Sequence, residues 1–286
     1  MDRVGVALVL ISAAGFATLG VLGKLATAAG LSIPTVLAFR FLLASAIVWV
    51  VLATRGQLKL LRGRALAVGF GLGALGYAVM SGLFFWGLEF MTAGLVGVVL
   101  YTYPVFVVGF AAMRLGESVT RRKVVALVAA LAGVALVTGA DTAGADPRGI
   151  GIVLLAAVVY ASYITASRAA LDTVEPPVLT AHVLPAAAVA YLVFGTVSGN
   201  LGVPATDYQW AIVVAIAAVA TAIPIFTFFA GLRRIGASRA SIVSTAEPVV
   251  TLLLGAVILD EPITGATVVG AGLVLAGVLL VQTGAE

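Results

Sequence analysis

Two ionisable residues stand deep inside apolar runs: Arg40 within residues 34–53 and Glu247 within residues 237–259. Charge in hydrocarbon is expensive and turns toward a partner, a cavity or water. Arg40 sits about two turns from the start of its run at 1.5 Å per residue. Its guanidinium suits a carboxylate or phosphate on a bound molecule. A structural ion pair with Glu247 or Glu89 is the other reading. Glu247 has Ser244 at i−3 and Thr251 at i+4, a polar stripe on an apolar helix. Such an acid can bind positive charge, carry a proton, or neutralise a buried cation. Pro248 follows it and cannot donate to the carbonyl of Ser244; Pro104 leaves Leu100 in the same state. Both prolines are therefore read as helix kinks, with loose carbonyls facing a shared centre.

Aromatic residues form the third group. Tyr101 and Tyr103 flank the middle of one run, while Phe16, Tyr77, Trp86, Tyr160 and Tyr163 lie on others. These rings could stack on a solute or hold an ammonium by cation–π contact; packing in a mixed core is the plainer role for any one of them. Lys24 either adds to an anion site or snorkels to the interface. His182 is the single histidine and there is no cysteine, so zinc and thiolate sites lack ligands; no metal, catalytic residue or organic cofactor is expected, proton coupling being the one possibility kept. His182 is read as a packing or interfacial residue. Glu117 and Glu261 precede Thr120 and Thr264, which are expected to cap the helices that follow.

Membrane helices must position these groups. The chain of 286 residues is 62% hydrophobic and 10% charged, with mean hydropathy +1.21. Soluble domains are about 45–50% apolar and about 25% charged. Ten spans are expected, at residues 4–26, 34–53, 65–88, 93–113, 124–138, 149–170, 178–197, 209–231, 237–259 and 266–282. Each approaches the roughly 20 residues a bilayer requires, the fifth and tenth being short. The first run exceeds the about 7–15 apolar residues of a cleaved leader, so it is read as a span. Gly69-xxx-Gly73 and the glycines of the tenth run suit close packing within one bundle or a dimer face, so monomer and homodimer both stay open.

With the N-terminus in the cytoplasm, thirteen Lys and Arg fall on that side: Arg3, Arg55, Lys59, Arg62, Arg64, Arg114, Arg121, Arg122, Lys123, Arg168, Arg233, Arg234 and Arg239. Only Arg148 falls outside, where acids such as Glu89, Asp141, Asp146, Asp207, Asp260 and Glu261 gather. Both termini are therefore expected in the cytoplasm, and the basic balance of +4 reports orientation rather than nucleic-acid binding.

A gapless repeat runs at an offset of 144. Pro104 meets Pro248, Glu117 meets Glu261, Thr120 meets Thr264, and Leu131-Ala132-Gly133-Val134 meets Leu275-Ala276-Gly277-Val278. Lys24 meets Arg168 and Phe16 meets Tyr160, so those two rings are expected to face one cavity. Five spans per copy, an odd number, would invert the second copy, the design that lets a carrier open alternately to either side. The expected fold is an all-α membrane protein of ten helices in two inverted five-helix repeats, residues 1–140 and 141–286.

The doubled pattern, with Leu115-Gly116-Glu117 in one copy and Leu259-Asp260-Glu261 in the other, resembles the EamA-type transporters of the drug/metabolite transporter superfamily. Arg40-Phe41 also looks like an arginine of that family. The resemblance covers nearly the whole chain and implies a compact bundle that moves small organic solutes. Export of an amino acid or related metabolite across the cytoplasmic membrane is the leading expectation. Uptake or exchange of an anionic carboxylate or phosphate is the alternative. An intramembrane enzyme fits poorly, since H-E-x-x-H and G-x-S-x-G are absent. A passive channel is the remaining reading. The two copies differ at one telling place: Tyr103 stands where the second has Glu247.

Overall fold

The structure, a computed structural model, describes residues 2–91, 93–138, 146–259 and 263–282. All regular structure among them is helical. In order come α1 (Arg3–Ala28), α2 (Ile33–Thr54), α3 (Gly63–Gly87), α4a (Ala93–Leu100), α4b (Tyr103–Leu115) and α5 (Arg121–Val137). Then follow α6 (Pro147–Ala170), α7 (Pro176–Val197), α8 (Asp207–Ile235), α9a (Ala237–Ser244), α9b (Glu247–Leu259) and α10 (Gly265–Gln282). Counting each broken helix as one run, eight among the described residues are long and apolar enough to cross a membrane. The remaining two are shorter: α5 has 17 residues, and the apolar part of α10 is Gly265–Val281. The chain is an all-helical, multi-pass membrane protein.

Local chemistry sets the helix ends. The side chains of Asp2, Ser32, Thr120, Asp146 and Thr206 accept from backbone amides one turn in, using donors that helices leave unpaired. Thr264 accepts from the amide of Thr267, as Thr120 does from Lys123. Gly116 ends α4b in a left-handed conformation at φ 68°, which costs glycine no Cβ clash. The outward faces carry large apolar residues, among them Val50, Leu75, Val193 and Leu279, a surface suited to lipid rather than water.

Glycines set how closely the helices approach. A Cβ on Gly133 of α5 would stand 2.5 Å from the carbonyl of Gly270 on α10, and one on Gly277 would stand 2.7 Å from that of Ala126. As one helix advances its partner number falls, so α5 and α10 run antiparallel. Gly231 of α8 approaches Val9 of α1, and Gly87 of α3 approaches Val153 of α6. Gly5 abuts Ile235, and Gly149 abuts Met91. In each of these pairs of contacts, one maps on the other by the 144-residue shift. The first helix of each half thus packs on the third helix of the other half. Gly69 and Gly73 are spent inside the chain, against His182 and Val183 of α7.

Two further breaks obey the same shift. The fourth helix is interrupted at Tyr101–Thr102 and the ninth at Thr245–Ala246, each just before its proline. In addition, α3 widens into a π-turn at Leu72–Tyr77 and α8 at Ala218–Ala222. The sequence pattern gave no sign of these turns, because a π-turn alters the hydrogen-bond register without altering hydropathy.

Candidate functional site

The site is built from α2, α3, α4b, α6 and the two halves of the ninth helix. Arg40 projects from α2 into the core and is 2% exposed. Its Nη2 donates to the Tyr77 hydroxyl at 3.2 Å, and its guanidinium carbon lies 4.4 Å from the centre of the Phe41 ring. Its Nε is buried without an acceptor. No described Asp or Glu pairs with it, so the expected alternative of a structural ion pair with Glu247 or Glu89 is not what the fold builds.

From Tyr77 a run of rings continues through the core. Centroids step 5.7 Å to Tyr163, 6.1 Å to Tyr160, 4.6 Å to Tyr103 and 6.2 Å to Tyr101. At the far end Tyr101 lies within hydrogen-bonding reach of the Glu247 carboxyl. Glu247 opens the half-helix α9b, at the end where the helix dipole favours negative charge. The Ser244 and Thr251 hydroxyls donate back to the carbonyls of Ala240 and Glu247 on their own helix, and the Ser244 hydroxyl also meets that of Tyr103. Tyr103 donates to the carbonyl of Ser241 at 3.3 Å, joining the two broken helices directly.

A cavity of 830 Å³ opens between α2, α3 and α7. Trp86, Glu89, Phe194 and Asn200 line it toward one end of the bundle, and Leu37, Ala78 and Tyr191 toward the core. Leu37 precedes Arg40 by one turn, Ala78 follows Tyr77, and the Tyr191 ring stacks on Phe41 at 5.5 Å. The cavity therefore reaches the wall behind which the arginine lies. The opposite end of the bundle is tied by ion pairs, Arg233 to Glu175 and Arg234 to Asp2.

Apolar helices, a polar core and an apolar vestibule agree with what the sequence is similar to. The EamA-like transporter family matches twice, over residues 3–139 and 147–283. The chain belongs to this family. An uncharacterized transporter of Bacillus subtilis (strain 168), YcbK, is 31% identical over 224 residues, 76% of this chain and 70% of the relative. An uncharacterized transporter of Archaeoglobus fulgidus is 30% identical over 217 residues, 74% of this chain and 76% of its own. A solved crystal structure shares the fold at TM-score 0.81 and 24% identity, covering 98% of this chain and 96% of the other. Membership makes this protein a transporter and not an enzyme.

In this EamA family member the expected residues divide into two sets. Arg40, Tyr77, Tyr101, Tyr103, Tyr160, Tyr163 and Glu247 are brought together, with Ser244 buried beside them. Phe16, Trp86 and Lys24 are elsewhere. Phe16 packs on the core without joining the ring run, although its twin Tyr160 is part of it. Trp86 faces the cavity and pairs edge-on with Phe90. Lys24 is exposed near the end of α1. Asp141, Asp260 and Glu261 lie outside the described residues. Phe41, Tyr191 and Phe229 belong to the aromatic cluster and were not anticipated. Only Phe41, adjacent to Arg40, carried a local signal. His182 is a packing residue that also fixes a loop: its Nε2 accepts from the Leu61 amide at 3.1 Å and its Nδ1 faces the Val178 carbonyl at 2.8 Å.

Proposed function

We propose that this chain is a secondary transporter that exports a small organic metabolite, an amino acid or related compound, across the cytoplasmic membrane by alternating access. One observation carries the reading: Arg40 and Glu247, opposite in charge, end one run of tyrosines inside the bundle. A dipolar solute would offer each a group of opposite sign, with the carboxyl of Glu247 free to exchange a proton as the coupling step.

Alternating access requires two halves of opposite polarity. The antiparallel contact of α5 with α10, and the 144-related contacts elsewhere, support two inverted repeats at residues 1–140 and 141–286, with α5 and α10 as short fifth and tenth crossings. The thirteen-to-one distribution of basic residues supports cytoplasmic termini. In that orientation the 830 Å³ cavity faces outward, and the ion pairs of Arg233 and Arg234 lie at the cytoplasmic end.

Counterflow in proteoliposomes tests the carrier. Saturable uptake of labelled solute, accelerated by unlabelled solute on the far side, is expected; flux that never saturates would mean a channel. The absence of native cysteine makes orientation equally accessible. Single cysteines at Arg64 and Arg122 should react only from the cytoplasm, and labelling from outside would overturn the arrangement.

Exchange of a purely anionic solute is a second reading, favoured by the unpartnered Nε of Arg40. Under it, Arg40→Ala weakens anion binding far more than zwitterion binding.

A further inference from the structure

Two cavities of the bundle occupy places related by the 144-residue shift, and they differ in size. The larger, 830 Å³, lies where the start of α2, with Ile33 and Pro34, faces the end of α3, with Trp86 and Glu89. The smaller, 380 Å³, lies where the start of α7, with Glu175 and Pro176, faces the end of α8, with Ala230 and Arg233, beside Leu8 of α1. Ala230 is the equivalent of Trp86 and Arg233 of Glu89, while Pro176 adjoins Pro177, the equivalent of Ile33. An ion pair spans the smaller crevice, from Arg233 Nη1 to Glu175 Oε2. The larger crevice has no such pair to make, because Leu31 and Glu89 stand in the equivalent places. One molecule therefore shows the same helix junction in two arrangements, parted at one end of the bundle and bridged at the other.

We propose that the pocket between the start of α7 and the end of α8 is the cytoplasmic port of the transport path, and that Arg233 and Glu175 are the latch that holds it shut while the outer cavity is open. The proposal rests on the alternating-access reading above. If the two halves exchange arrangements, α8 parts from α7 and α3 closes on α2. For an exporter this port is where the solute loads. The pair suits a reversible catch. Glu175 stands at the N-cap of α7 and Arg233 in the last turn of α8, so each charge still complements its own helix dipole when the pair is apart. Their side chains are 58% and 39% exposed, so water receives both on release. The neighbouring pair has a different place. Arg234 joins α8 to Asp2 at the start of α1, and a Cβ on Gly231 of α8 would already stand 2.8 Å from the Gly5 carbonyl of α1. That joint is packed backbone to backbone and has no gap to open.

Single cysteines in the full chain, which has none of its own, test the latch in detergent, where both faces of the protein are reachable. Ala190→Cys reports on the outer cavity and Ala230→Cys on the inner pocket, each through its rate of reaction with a water-soluble maleimide. In the Ala230→Cys background, Glu175→Gln should speed labelling by about two- to fivefold, the size of an exposed ion pair. In the Ala190→Cys background the same change should slow it. Glu175→Arg combined with Arg233→Glu should return both rates toward those of the native pair, and Asp2→Asn should move neither. Unchanged rates in Glu175→Gln would overturn the latch. Faster labelling of the inner pocket without slower labelling of the outer cavity would overturn it too, since the pair would then only shield Ala230. An equal response to Asp2→Asn would take the effect away from the α7–α8 crevice. Saturable counterflow through Glu175→Gln protein whose labelling does not shift would remove the latch and leave the transport reading standing.

Discussion

The two halves of this chain share their packing and differ in their chemistry. Gly5 and Gly149, Gly87 and Gly231, and Gly133 and Gly277 occupy equivalent places, and each permits a close helix approach. The site residues have no such twins. The partner of Arg40 is Leu184, that of Tyr77 is Thr221, that of Tyr101 is Thr245, and that of Tyr103 is Glu247. Close contact between helices tolerates little besides glycine, because packed backbones leave no room for a Cβ. Lining a polar interior imposes a looser demand, since many side chains fill one volume. Duplication has preserved these three joints, although the close-packed Gly15, Gly73 and Gly270 have Val159, Ala217 and Ala126 in the equivalent places, and it has released the lining, so that the buried arginine comes from the first half and the buried acid from the second.

The strongest test of that division sets Glu247→Gln against Tyr103→Phe. The two positions are equivalent in the scaffold, each opening a half-helix after a break. If Glu247 carries the coupling proton, its amide should abolish flux driven by an imposed pH gradient in proteoliposomes and leave solute exchange running. Tyr103→Phe loses the 3.3 Å bond to the Ser241 carbonyl and the contact with the Ser244 hydroxyl, and should leave driven flux within a few-fold of wild type. A neutral hydrogen bond contributes about 0.5–1.5 kcal/mol. Undiminished driven flux in Glu247→Gln would strip the second half of its assigned chemistry.

The joints should answer alike. Gly133→Val and Gly277→Val each force a side chain against a backbone carbonyl, at 2.5 and 2.7 Å for the Cβ alone. Overpacking costs about 1–3 kcal/mol, so both should lower the midpoint of unfolding, by similar amounts. Gly272→Ala on the same helix as Gly277 meets nothing within 4 Å and should be neutral or stabilising. Unequal losses at the two valines would mean that the halves do not share the load.

Much of this scaffold was legible in the sequence because its causes are local or periodic. Apolar runs gave the helices, the fixed offset gave the duplication, and Pro104 and Pro248 stand at the second residue after the observed breaks. The lining was less legible. Which tyrosine meets Arg40 depends on how α2 and α3 are rotated, and for α3 that rotation is set by glycine contacts with other helices. Tyr191 lies more than one hundred residues from Phe41 in sequence, and nothing near it marks it as a neighbour. Phe16 shows the limit of the repeat: being the twin of Tyr160 placed it on the corresponding helix but did not place its ring in the run. The role of Glu117 was likewise hidden, because its target is on the other half of the chain.

Glu117 supplies the next test. Its carboxylate accepts from the amides of Ala237 at 2.7 Å and Ser238 at 3.1 Å, capping α9a across the two halves, with Lys123 Nζ 3.8 Å away. Glu117→Ala should destabilise by about 0.5–2 kcal/mol, the usual loss for a helix cap, measured by thermal unfolding. Glu261, its equivalent, lies outside the described residues. An equal loss in Glu261→Ala would extend the correspondence to the turns, and a null result would confine it to the helices.

The smallest expected difference separates Asp2 from Asp146, twin caps of α1 and α6. Asp2 accepts from the Gly5 amide at 2.9 Å and pairs with Arg234 at 2.7 Å, whereas the residue equivalent to Arg234 in the first half is Phe90. The Gly5 amide holds the Asp2 carboxyl below its ordinary value of 3.8; partial burial opposes this, and Arg234 adds to it. A carboxylate depressed in the folded state stabilises fully above its unfolded value and loses that contribution as pH falls through the folded one. Asp2→Asn keeps a capping oxygen and loses the charge, so its cost at pH 7 should be about 0.2–1 kcal/mol, the range for an exposed pair. That cost should shrink as pH drops below about 3.8, because the wild-type carboxylate is then protonated and resembles the amide. Asp146→Asn, with no arginine in the equivalent place, should cost less at neutral pH. Equal costs for the two variants at pH 7 would show that the cap, not the ion pair to α8, is what Asp2 contributes, and that even this last asymmetry between the halves has no energetic weight.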